Sequence, residues 1–435
     1  MIPRLKSTSA LLLLLTGVLA LLASCVESSK QGPATTGSQQ EGHSALVHKI
    51  QSEPILRVRI AANLREVTVD APLGLTIQSD RHKPQAFHSP VTIRRHGNSY
   101  VVAAAGISPV TFSGQGLWVQ TSAQGMLRVD QRTYPGVLRI EHATGRYATA
   151  GHLDVINHLP MESYLPGVLH AELYRTWNPN AYAAQAIAAR SYALFEMSLS
   201  HNKTYDLEST VASQAYAGAG AHDVAVQAVQ QTRGVILTWE GRVLPAFYSS
   251  TCGGVNQYAS LVLPHGTTAA PINSPRGDCK WCKDSTYYRW GPVAHDRVTL
   301  SRRIAAWGAA TEHPIAGLGT IEQISVTDRT SAGRPTKFTL VDNNGKSFVM
   351  GAESLRFACN FTAPKMGVVP ANQILRSSHC RPVVVGNRVV FEQGRGFGHG
   401  VGMCQWGAQG LAQAGYNTQS ILAFYYPGSK LQRVY

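Results

Sequence analysis

At 435 residues, with 44% apolar and 15% charged side chains, the chain has an ordinary globular composition and exceeds what one hydrophobic core usually organises. General disorder is excluded, and two or more packed subdomains are expected. The formal charge of +14 favours any polyanion, but the basic residues are scattered and no nucleic-acid-binding motif accompanies them.

In chain order, Arg4 and Lys6 precede an apolar run from Ala10 to Leu22 that ends in Leu22-Ala23-Ser24-Cys25. The run is too short and wrongly flanked for a spanning helix, and residues 1–24 read as a signal peptide. A cysteine directly after Leu-Ala-Ser resembles the lipobox of bacterial lipoproteins, so Cys25 is the expected lipidation site and a membrane the expected partner through that anchor. The expected location is outside the cytoplasm, facing the periplasm or cell wall, which also removes nucleic acid as a partner. Residues 25–53, with Ser, Gly, Gln and Thr concentrated between 28 and 42, read as a flexible tether.

Alternating segments at 55–60, 67–69, 91–93, 100–102 and 137–140 are separated by Gly, Pro, Asn and Asp, and read as strands of a β-rich N-terminal region over 54–145. Near residue 145 the texture changes to a clear helix and then to Gly-rich loops. Residues 146–435 therefore read as a mixed α/β core, and the fold class as α+β.

Two helical signals follow. Leu165, Val168, Leu169 and Glu172 fall at i, i+3, i+4 and i+7, which puts a carboxylate on an apolar face, a costly placement without a purpose or a partner. A carboxyl group held among apolar side chains resists ionisation, as a general acid requires, whereas a salt-bridged glutamate is the structural alternative. Asn178 as N-cap and Pro179 at the first helical position then introduce an Ala-rich run to about residue 197. Its five alanines between 183 and 189 predict a buried, central helix, in which Gln185 and Arg190 position neighbours or reach substrate.

Tyr164-Leu165-Pro166-Gly167-Val168, Ala171-Glu172, Trp177-Asn178-Pro179 and the run from Ala184 to Leu194 resemble the signature of the SpoIID/LytB family. The likeness continues through Thr232-Arg233-Gly234, Phe247-Tyr248-Ser249-Ser250-Thr251-Cys252-Gly253-Gly254, the run from Gly394 to Met403, Gln405-Trp406-Gly407 and Tyr425-Tyr426-Pro427-Gly428, so it covers about residues 145 to 435. It implies a lytic transglycosylase acting on peptidoglycan glycan strands stripped of stem peptides, with Glu172 at the position of the family's catalytic glutamate. In that chemistry the glutamic acid protonates the glycosidic oxygen and the sugar's own C6 hydroxyl attacks C1, leaving a 1,6-anhydromuramyl end. One carboxyl group then suffices where ordinary glycosidases use two. Asp206 and Glu208 are candidate stabilisers, and the candidate substrate-binding residues are Gln185, Arg190, Tyr192, Ser249, Ser250, Arg395, His399, Gln405 and Trp406. The other branch of the family implies a different class, a non-catalytic wall-binding enhancer whose partner is a cell-wall amidase.

The glycines between Gly394 and Gly402 alternate, and no Lys-Ser/Thr follows them, so a nucleotide loop is excluded. Alternating glycine permits close approach of the backbone to a ligand or to another chain segment. Beyond Cys25 the cysteines are Cys252, Cys279, Cys282, Cys359, Cys380 and Cys404. Export favours disulfides and no cofactor, while the metal-ligand spacing of Cys279 and Cys282 leaves a zinc site with Cys252 and Cys404 as the alternative. Some relatives hold a metal by Cys and His in the segment after Asp206, where this chain reads Ser209-Thr210-Val211-Ala212-Ser213-Gln214-Ala215-Tyr216.

Overall fold

A computed structural model of the chain describes residues 47, 50–121, 125–145, 148–210, 213–262, 270–272, 279–362 and 366–435. The expected signal peptide, Cys25 and most of the tether lie outside the described residues. The structure is α+β, as expected, and divides into two compact units, Gly32–Ala246 with Ser429–Tyr435, and Phe247–Gly428. Among the described residues no helix is long and apolar enough to cross a membrane.

The first unit holds two large sheets. One has six strands in the order Arg132–Tyr134, Leu127–Val129, Glu66–Asp70, Val91–His96, Ser99–Ala104 and Val110–Ser113. The other has seven, with Ile55–Leu64 between Leu207–Glu208 and Leu153–Pro160, followed by Val137–His142, Gly116–Gln120, Leu75–Ser79 and Gln85–Phe87. Strand alternation is visible in the burial: Leu56 and Val58 are buried while Ile55 is exposed. Val137–His142 and Leu153–Pro160 pair antiparallel, so the change of texture near residue 145 falls inside one sheet, and the compact units divide at 246/247 instead.

The described residues of this unit include the helices α1 (Met161–Glu172), α2 (Pro179–Leu199) and α3 (Asp223–Gln231). Helix α2 starts as its sequence predicts, with the Asn178 side chain accepting from the Asn180 N–H and Pro179 in the first turn, and every residue from Ala181 to Phe195 is buried. Leu165, Val168 and Leu169 of α1 are fully buried, and the helix ends where Leu173 turns extended. A small third sheet places Val235–Trp239 between Arg242–Val243 and Lys430–Arg433, the last strand of the chain.

The second unit carries helices α4 (Ala259–Val262), α5 (Arg297–Thr311), α6 (Ala352–Asn360), α7 (Gln405–Gln413) and α8 (Thr418–Tyr425). Its core gathers Leu300, Ile304 and Trp307 of α5 with Phe338 and Leu340 of the antiparallel sheet Ile321–Arg329, Pro335–Asp342 and Ser347–Gly351. Leu355 and Ala358 of α6 and Val389 and Phe391 of a further hairpin close it.

Candidate functional site

Glu172 is the last residue of α1, half-buried beyond Leu165, Val168 and Leu169 on the face its spacing predicted. Its Oε1 accepts from the Ala215 N–H at 3.2 Å. The segment that carries Ala215 is fixed on both sides: Gln214 donates to the Ala189 carbonyl of α2 at 3.2 Å and accepts from the Tyr164 hydroxyl of α1 at 3.2 Å. Tyr216 donates to Asn157 Oδ1 at 3.3 Å, and its ring lies 4.8 Å from that of Tyr164. Burial pushes the Tyr164 phenol well above its ordinary range, with Tyr216 and Glu172 adding to the shift, so its hydroxyl stays protonated as a donor. This segment contains neither Cys nor His, and tyrosine and amide hydrogen bonds bind it to α1, to α2 and to strand Leu153–Pro160. Sequence reasoning missed Tyr164, Gln214 and Ala215 as supports for Glu172, because their partners lie 25 to 59 residues away along the chain.

The other candidates of this unit are buried. The Arg190 guanidinium is closed off from solvent and forks onto Glu162 at 2.9 and 2.8 Å while donating to the Val235 carbonyl, so it joins α2 to α1 and to the third sheet. Tyr192 hydrogen-bonds Glu196 one turn further along α2. Gln185 is 1% exposed, and neither end of its amide has a hydrogen-bond partner among the described residues. The candidate stabilisers are bound into structural ion pairs. Arg57 pairs with Asp206 at 2.6 Å, and the buried Arg59 holds Glu208 and, at 3.1 Å, Asp154. Strand Leu207–Glu208 runs parallel to Ile55–Leu64 and brings these partners into register.

The remaining candidates lie in the second unit, where Tyr248–Ser249 pairs in parallel with Met403–Cys404. Ser249 Oγ accepts from the Gly400 N–H at 3.2 Å, and the Ser250 carbonyl from the Trp406 N–H at 3.1 Å, so Ser249, Ser250, Gln405 and Trp406 meet at the start of α7. His399 Nδ1 accepts from the Val401 N–H at 3.0 Å, and burial brings this imidazole down to about 4, which keeps it neutral. Arg395 is half-buried, its backbone held by His379 and Ser377. The alternating glycines serve close approach to other chain segments. At Gly396 (φ +79°) a Cβ would stand 2.6 Å from the Thr251 carbonyl oxygen, and at Gly402 (φ +66°) 2.0 Å from that of Phe247. Arg334, which sequence reasoning did not single out, is fully buried and donates to the Val255 and His399 carbonyls at 2.9 and 3.0 Å, joining two loop segments of this cluster.

All six described cysteines are free thiols, where oxidised pairs were expected. Cys252, Cys279 and Cys282 bring their sulfurs within 4.8 Å of one another, and beside them Cys404 Sγ accepts from the Cys252 N–H at 3.3 Å. Hydrogen bonds among the sulfurs push Cys279 and Cys282 towards thiolate, and burial keeps Cys404 a thiol.

The family model described as Stage II sporulation protein matches residues 149–239, within the first unit, and one described as Domain of unknown function (DUF8618) matches 280–402, within the second. An uncharacterized protein of Brachyspira hyodysenteriae is 31% identical over 282 residues, 63% of this chain and 67% of that protein. The Stage II sporulation protein D of Bacillus amyloliquefaciens is 28% identical over 302 residues, 65% of this chain and 76% of its own length. The Amidase enhancer of Bacillus subtilis is 26% identical over 295 residues, which are 61% of this chain and 40% of that much longer relative.

Proposed function

Because this chain belongs to the SpoIID/LytB family, we propose that it is an exported cell-wall protein that cleaves peptidoglycan glycan strands as a lytic transglycosylase, with Glu172 as the general acid. The observation that carries this reading is the placement of Glu172 at the end of α1, oriented by the Ala215 N–H over a buried apolar face. Glu172 then protonates the glycosidic oxygen, the bond to C1 breaks, and the C6 hydroxyl of the same sugar closes on C1, giving its proton to the Glu172 carboxylate and leaving a 1,6-anhydromuramyl end. No water is consumed. Ser249, Ser250, Arg395, His399, Gln405 and Trp406 are proposed contacts for the strand, and anchorage through Cys25 would hold the enzyme at a membrane.

The relative named Amidase enhancer favours one competing reading, a wall-binding protein that stimulates a separate amidase. Incubation of the purified protein with glycan strands stripped of stem peptides, followed by mass spectrometry, separates the two. Wild-type protein is expected to yield anhydromuramyl ends, and Glu172→Gln to cleave about 10²- to 10⁴-fold more slowly while still folding and binding strands. Strand binding by the wild-type protein without anhydro ends, together with stimulation of an amidase, would install the enhancer reading instead.

A further inference from the structure

Three segments far apart in sequence bring four cysteines to one buried place in the second unit, where the sulfurs of Cys252, Cys279 and Cys282 lie within 4.8 Å of one another and Cys404 Sγ accepts from the Cys252 N–H beside them. Cys252 follows the strand Tyr248–Ser249, Cys279 and Cys282 flank a single 3-10 turn, and Cys404 is the N-cap of α7. All four are at most 2% exposed. The Cys252 and Cys282 sulfurs stand 3.6 Å apart. A disulfide needs about 2.05 Å between two sulfurs and leaves no reason for a third or fourth to gather. A tetrahedron of sulfurs around zinc, with metal–sulfur bonds of about 2.3 Å, has edges of about 3.8 Å.

The surroundings fit a thiolate cage. Cys404 Sγ accepts from the Cys252 and Gly407 N–H groups, both at 3.3 Å, and the latter is an amide of the first turn of α7, where the helix dipole favours negative charge. The Tyr425 hydroxyl lies 3.9 Å from Cys279 Sγ. Gly410 of α7 lets the turn between Cys279 and Cys282 lie against the helix, since a Cβ there would meet the Trp281 carbonyl oxygen at 2.0 Å.

We propose that Cys252, Cys279, Cys282 and Cys404 bind one structural zinc(II) ion, with every coordination position taken by sulfur. Each ligating thiol gives its proton to solvent, and no sulfur changes oxidation state. The ion ties the segment of Ser249 and Ser250 to the start of α7, where Gln405 and Trp406 stand, and it protects four cysteines from oxidation in an exported protein. This inference is independent of the reaction assigned to Glu172.

Metal analysis of the full chain, purified without chelator from zinc-replete cells, tests it. The expected result is one zinc per chain, released in step with four thiols as an organomercurial is added. Cobalt(II) in its place should give the intense thiolate-to-cobalt absorption of a tetrahedral sulfur site. Cys404→Ser should weaken zinc binding at least about tenfold in competition with a chelator. Wild-type protein without metal, a stoichiometric content of iron, or a disulfide mapped between any two of the four cysteines would overturn the proposal, whether or not the variant folds.

Discussion

Two charged side chains of α2, Arg190 and Glu196, show how burial separates roles that look alike in a sequence. Arg190 is tied to Glu162 by a bidentate pair, so its burial is compensated. At Glu196 burial prevails: it pushes the carboxyl group up to about 7 from 4.5, and the hydrogen bond from Tyr192 and the charge of Lys203 only moderate the shift. Its folded value lies above its unfolded one, so the stability contributed by the neutral form is fully present below about pH 4.5 and is lost as pH rises through about 7. Glu196→Gln should therefore leave stability near pH 4 unchanged and raise it by about 1–3 kcal/mol at pH 8. Denaturant titrations at the two pH values check this, and equal effects at both would mean that the carboxyl group ionises freely in the folded protein.

Helix α1 and the segment from Ser213 to Gly218 act as one device for holding Glu172. Gly167 makes their approach possible, because a Cβ there would stand 2.4 Å from the Gly218 carbonyl oxygen and 2.6 Å from the Tyr216 ring. Gly167→Ala should push the segment away and carry the Ala215 N–H off Glu172, lowering stability by about 1–3 kcal/mol and reducing strand cleavage although Glu172 is untouched. Gly291→Ala, where a Cβ meets nothing within 4 Å, is the control and should shift stability by less than about 0.5 kcal/mol. An unstable Gly167→Ala protein with wild-type cleavage at low temperature would show that Ala215 does not orient the acid. The apolar face of α1 and the cap of α2 were legible because both are local patterns. The clamp on Glu172 was not, since it depends on a loop whose residues, Gln214 and Tyr216, carry no periodic signal.

At the scale of the whole molecule, the strands that obey alternation were legible, and the division of the compact units at 246/247 was not. Strand Leu153–Pro160 hides its character because Asp154 and Asn157 are buried in it, the first paired with Arg59 and the second donating to the Pro135 carbonyl. The meeting of Cys252 with Cys404, 152 residues apart, was legible only through the family motifs that carry them and not through any local pattern. The chain leaves the first unit at Ala246 and returns to it at Ser429, so its last seven residues complete a fold begun far upstream. Lys430–Arg433 pairs with Val235–Trp239, the Val434 N–H donates to the Gly234 carbonyl at 2.9 Å, and the Tyr435 hydroxyl donates to Glu162 Oε1 at 2.6 Å. Removing residues 429–435 strips one edge of that sheet and one of the donors to Glu162. At about 0.5–1.5 kcal/mol for each net backbone hydrogen bond and about 1.5–3 for the one to a carboxylate, the truncated first unit should lose about 3–6 kcal/mol. Hydrogen exchange should locate the loss, with the amides of Val235–Trp239 and the first turns of α1 exchanging fastest. Tyr435→Phe should reproduce only the carboxylate part. A truncated protein within about 1 kcal/mol of the full chain would mean that this returning strand lies on the sheet without supporting it.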